Sequence, residues 1–162
     1  MKNNTFAKLF LVGALIVAMF SSALSPSYAF LDKTRFVAHL GIAYFCFHHW
    51  VLSPYRDGSF NAGAPHRTAA MVKGGIALLF AYHEVKVSEK IAQRSKDPLL
   101  QKLSGAISGL SGSFASVGSR LKSGHFNPAD IESLATSTTA IGTSAAAGGA
   151  RIKDVPIPVP GT

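Results

Sequence analysis

The chain has 162 residues, a single cysteine, and 16 Lys/Arg against 8 Asp/Glu for a formal net charge of +8. One cysteine excludes an intrachain disulfide, so the core must be held by packing alone, which a chain of this size can achieve. The basic excess points to anionic membrane or cell-wall surfaces and acidic proteins; no RNP sequence, zinc-finger spacing or long basic tract accompanies it, which argues against nucleic acid.

Residues 1–29 read as a signal peptide. Lys2 and Lys8 flank a polar start, Leu9 to Phe20 is almost unbroken apolar sequence, Pro26 interrupts it, and Ser27-Tyr28-Ala29 places small residues at −3 and −1 of a cleavage site. The apolar run is shorter than the ~20 residues a helix needs to cross a bilayer. Cleavage after Ala29 starts the mature chain at Phe30, with Ser21 and Ala23 offering a competing site. Without Lys2 and Lys8 the mature chain holds 14 basic and 8 acidic residues, a net +6. The expected location is the cell envelope or the extracellular space.

Residues 30–150 form one helical domain in this reading. A first helix from about Asp32 to Leu52 is apolar nearly all the way round and stops at Ser53-Pro54; such a helix is central in a bundle or lies in a membrane. A turn-rich loop, Pro54 to Pro65, leads to a second helix from His66-Arg67-Thr68 to about Arg94. Its apolar positions Val72, Ile76, Leu79, His83, Val87 and Ile91 recur at helical spacing, which leaves Glu84 and Glu89 on the surface. Asp97-Pro98 is a capped helix start. The third helix then sets Leu103, Ile107, Leu110, Phe114, Val117 and Leu121 on one seam, and ends at Lys122-Ser123-Gly124. Asn127-Pro128 opens a fourth with Ile131, Leu134, Thr138, Ile141 and Ala145 on one stripe, ending at Gly148-Gly149. The short connection makes the last two helices an antiparallel hairpin. Gly105 and Gly109 carry the spacing that lets two helix backbones approach closely. Residues 151–162 alternate proline with Ile157 and Val159 and form an extended or disordered tail, or one laid along a groove. The expected fold class is all-α: a small bundle of about four helices with the first two at its centre.

Enzyme motifs are absent: no nucleophile elbow, no phosphate loop, no G-x-G-x-x-G and no H-E-x-x-H. The carboxylates are scattered, and Asp130 and Glu132 suit the first turn of the last helix. Cys46, between Phe45 and Phe47, reads as a buried, inert thiol. The histidines alone invite a site. If the first two mature helices form a hairpin, His39 lies opposite Ala81 and half a turn from His83, the arrangement by which helical bundles hold haem. His39 and His83 are therefore the cofactor-binding candidates, against the plainer role of core-edge histidines bonded to neighbouring polar groups; no metal site and no catalytic residue is expected. The leading functional expectation is an exported, non-catalytic helical protein that interacts with other proteins or with itself. The alternatives are a haem- or metal-binding protein and a peripheral membrane protein.

Overall fold

The computed structural model describes residues 25–158, and shows an all-α bundle with no strand among them. The part of the signal-peptide reading on residues 1–24 lies outside the described residues. Helix α1 (Ser25–Phe47) runs through a π-helical turn (His48–Leu52) into the short α2 (Ser53–Arg56), giving one continuous rod. Helices α3 (Arg67–Arg94), α4 (Pro98–Lys122) and α5 (Pro128–Ala147) follow. Ser27-Tyr28-Ala29 lie within the described part of α1; the reading of Pro26 as the end of the apolar run rests on residues outside the described ones.

The first rod passes the expected stop at Ser53-Pro54. Proline removes a donor and its ring collides with the carbonyl four residues earlier, here that of Trp50. The chain avoids the collision by widening the turn: the Ser53 N–H donates to the His48 carbonyl, five residues back. The Trp50 carbonyl turns toward α3, where Gly74 makes room for it; a Cβ on Gly74 would stand 2.9 Å from that oxygen. The rod ends when the Asp57 N–H bonds the Ser53 carbonyl at 2.9 Å, and Gly58 (φ 75°) turns the chain.

Helix α3 is the centre of the bundle, packed most extensively on α4 and next on α1. This corrects the expectation that α1 and α3 share the centre, with the other two helices outside. The buried face of α3 is made of small residues, Gly74, Gly75, Ala77, Ala81, Ser88 and Ala92, with Met71, Leu78 and Val85. It is turned by about one residue from the expected stripe: Val72, Ile76, Leu79 and Val87 are only half-buried, and His83 is exposed. The cause is backbone contact. Gly75 meets Gly118 of α4 so closely that a Cβ on Gly75 would be 2.5 Å from the Lys122 nitrogen and 2.8 Å from the Gly118 carbonyl. A helix flanked on both sides gains more from close approach along a smooth face than from burying its bulkiest stripe. The same rotation buries Glu84 and Glu89, which the sequence reading left on the surface.

Helices α4 and α5 form as their local signals indicate. The Asp97 carboxylate accepts from the N–H groups of Leu99 (2.8 Å) and Leu100 (3.3 Å), and Asn127 accepts from that of Ala129 at 3.1 Å. Leu103, Ile107, Leu110, Phe114, Val117 and Leu121 are all buried, as are Ile131, Leu134, Thr138, Ile141 and Ala145. The expected close approach at Gly105 and Gly109 does not occur: a Cβ there, or at Gly112, would meet nothing within 4 Å. Among the described residues one helix, Tyr28–Arg56, is long and apolar enough to cross a membrane, and half of its apolar window is buried inside the protein. Phe36, Leu40, Ala43, Cys46, Phe47 and Val51 are among the buried residues of this helix.

The two kinds of glycine should respond oppositely to alanine. Gly109→Ala fills open space on a helix surface and should raise stability by about 0.5–1 kcal/mol. Gly75→Ala should lower it by about 1–3 kcal/mol, because the α3–α4 backbones must separate. Phe114→Ala, from a fully buried side chain, should cost about 3–5 kcal/mol. Urea unfolding of the three variants measures all of this.

Candidate functional site

Two polar clusters lie inside the bundle. His39 on α1 is half-buried, and its Nδ1–H donates to the buried carboxylate of Glu84 at 2.6 Å. The α1–α3 register is therefore one turn further along α3 than the sequence spacing suggested, a shift also seen where the Ser88 hydroxyl reaches the Phe36 carbonyl. His83 is the next residue before Glu84, so it points about 100° away, and it is exposed. The structure does not bring His39 and His83 together; Glu84 takes the position facing His39. Among the described residues no three His, Cys, Asp or Glu side chains converge as metal ligands.

The second cluster surrounds Glu89. The Lys86 ammonium bonds its carboxylate, holding it below the usual carboxylate range against the opposing effect of burial, with help from the Ser108 and Ser111 hydroxyls of α4. The Gln93 amide donates to its other oxygen at 3.1 Å. These partners account for a carboxylate that would otherwise be costly to bury. Cys46 is fully buried, and burial followed by the nearby Glu84 charge pushes its thiol up to about 12. It is protonated and unreactive at neutral pH.

The open site lies elsewhere, where α5 leans away from α1. Two adjoining cavities of about 410 and 390 Å³ occupy that gap and share His48, Thr138 and Thr139. One continues over Ser53, Arg56 and Asp57 at the end of the first rod. The other passes Tyr44, Gly142 and Thr143 to Arg151 and Asp154. Together they make a groove whose lining mixes hydroxyls and charged groups with small and apolar side chains. Tyr44 ties its two walls together: the phenol, fully protonated because burial and then the Asp154 charge push its pKa up, donates to the Thr138 carbonyl at 2.7 Å.

One end of the groove is closed by the chain itself. Residues 151–158 run extended across α1. The Val155 N–H donates to the Gly41 carbonyl at 3.0 Å, and Asp154 accepts from His48 Nδ1–H at 2.8 Å. Gly41 is what admits the segment, since a Cβ there would collide with the Lys153 carbonyl and lie 2.8 Å from the Val155 side chain. Ile152 packs on the core beside it. The sequence left residues 151–162 as an extended or disordered tail, or one laid along a groove; the seat of residues 151–155 against Gly41, Tyr44 and His48 had no signal in the sequence. Compared with protein-family models, curated proteins and solved structures, the chain matches none.

Two outcomes follow for pH and for the tail. Glu89 and Asp97 are both held below the usual carboxylate range. At Asp97 burial pushes up, and is outweighed by Lys33 and the two capping N–H groups together. Groups depressed in the folded state stabilise it fully above their unfolded pKa of about 4, and that contribution is lost as pH falls through the lower folded values. Stability measured by urea unfolding should therefore fall below pH ~5, and Glu89→Gln should flatten the fall. Asp154→Asn, at a half-exposed pair, should cost about 0–1 kcal/mol. Gly41→Val should additionally free residues 151–158 to limited proteolysis.

Proposed function

We propose that the chain is an exported, non-catalytic binding protein of the cell envelope or extracellular space, which takes an extended segment of a partner protein into the groove between α1 and α5. The observation that carries this reading is the tail: an extended stretch of polypeptide already occupies one end of the groove. It is held by a backbone hydrogen bond to Gly41 and by the pairing of Asp154 with His48. The remaining length offers the same kinds of contact, with hydroxyls at Ser53, Thr139 and Thr143 for main-chain groups and Arg56 for a carboxylate. Among the described residues Arg56 is in no ion pair, so its charge is open to a partner. A partner segment with an acidic residue suits it, since charge-assisted pairs with Arg are the stronger kind.

A photo-crosslinking residue at Thr139, in the producing organism, should give one discrete protein adduct, with the same residue at Ala106, exposed on α4, giving none. Arg56→Glu should reduce the Thr139 adduct about tenfold and leave the melting temperature unchanged. A stable chain with no Thr139 adduct, or with equal adducts at both positions, overturns the groove as a binding site. Amino-terminal sequencing of the exported fraction should begin at Phe30; protein found only inside the cytoplasm and starting at Met1 overturns the export reading.

A further inference from the structure

The end of the bundle where α1 begins carries a different surface from the groove. Tyr28 (70% exposed), Phe30 (70%) and Leu31 (55%) stand out in solvent there, in a structure that otherwise exposes large apolar side chains only at Val155 (36%) among the described residues. Tyr28 leaves with the signal peptide if cleavage follows Ala29; Phe30 and Leu31 then remain as an adjacent exposed pair, more than the scattered singles expected on a soluble surface. The Lys33 ammonium meets the Asp97 carboxylate at 3.0 Å, which fastens these first turns to the α3–α4 connection and cancels both charges.

Around that apolar tip the free charges are of one sign. Arg35 on α1, Arg94 and Lys96 at the end of α3 and beyond it, and Lys102 in the first turns of α4 are all exposed, and none is in an ion pair among the described residues. Against these four cations stands Asp32, half-buried. Aromatic and aliphatic side chains inside a collar of Lys and Arg match the interfacial layer of a membrane: the rings enter the headgroup region and the cations meet anionic lipids. A second copy of the chain fits the surface poorly, because a symmetric contact would press four cations against four. The apolar run Leu9–Phe20 lies a few residues ahead of this end, so a chain brought to a membrane by that run arrives with this face toward the lipid.

We propose that this end of the bundle, through Phe30 and Leu31 and the collar of Arg35, Arg94, Lys96 and Lys102, seats the protein on an anionic bilayer surface. The groove is left facing away. From Leu31 to His48 the first helix extends about 25 Å, so docking at one end leaves the tail and the α1–α5 gap clear of the headgroups.

The test uses the exported chain from Phe30, without the apolar run 9–20, labelled with a fluorophore at Gln101→Cys, beside the tip, or at His125→Cys, on the connection at the other end of α4. Cys46 is buried and does not compete for label. With phosphatidylglycerol vesicles carrying a headgroup quencher, the label at 101 should be quenched and that at 125 should not. Pure phosphatidylcholine vesicles, or about 0.5 M salt, should weaken the effect strongly by removing or screening the attraction. Arg35→Glu/Lys96→Glu should lower quenching at 101 by about tenfold in apparent affinity, with an unchanged melting temperature. Phe30→Ser/Leu31→Ser should lower it in both salt conditions. Equal quenching at the two positions, quenching at 101 that survives charge reversal, or no binding to anionic vesicles overturns the proposal. So does self-quenching between chains without vesicles, which would make the tip a self-association surface.

Discussion

The backbone-to-backbone contact of α3 with α4 at Gly75 and Gly118 is the constraint on which the rest of this bundle depends. Two helices that touch through glycine cannot rotate freely about their axes without losing the fit. That contact, together with the seat of the Trp50 carbonyl against Gly74, sets the rotation of α3. Its small residues then face both neighbours, its larger aliphatic side chains sit on the flanks, and Glu84 and Glu89 are carried inward. The buried polar clusters are consequences of this geometry. His39, Lys86, Gln93 and the α4 serines stand where two buried carboxylates need hydrogen-bond partners.

What could be read from the sequence divides along the same line. The seams of α4 and α5 were legible residue for residue, because each helix buries a single stripe and opens with a capping side chain and proline. Those signals act within one turn. Helix α3 misled because it packs on two sides, where the deciding quantity is how closely backbones approach, and hydropathy does not measure that. Glycine spacing alone did not help: Gly105 and Gly109 had the spacing and face solvent, whereas Gly75 and Gly118 make the contact from different helices. The position of His39 along the hairpin was right to within one turn; the rotation of α3 decides its neighbour, turning Glu84 inward and the adjacent His83 out to solvent. The π-helical turn and the seat of the tail were illegible for a related reason. Both arise from a clash or a vacancy that exists only once distant segments are packed.

The molecule has polarity along its first helix. At the start of α1 lie exposed aromatic and aliphatic residues within a cationic collar; beyond its middle lie the His48 pair, the groove and the crossing tail. Helix α5 makes this possible by packing on α4 and only sparsely on the first rod. A fourth helix tightly fitted against α1 would have completed a conventional bundle and filled the gap. Here that side is left to hydroxyl-bearing residues of α5, and to a strap of extended chain. The surface is thereby changeable in a way that the interdigitated α3–α4 contact is not, since the strap is held by few groups and the core by many.

The strap also imposes an order in time. His48 and Asp154 are 106 residues apart in the chain, and residues 151–158 are made after every helix they close over. At ordinary synthesis rates of ~5–20 residues per second, the side of α1 around Gly41 and Tyr44 stays uncovered for on the order of 5–20 s after it is made. During that interval the helix pair α1–α3 can form, since its contacts are complete by Arg94, while the face that the strap will cover remains accessible to whatever accompanies the nascent chain.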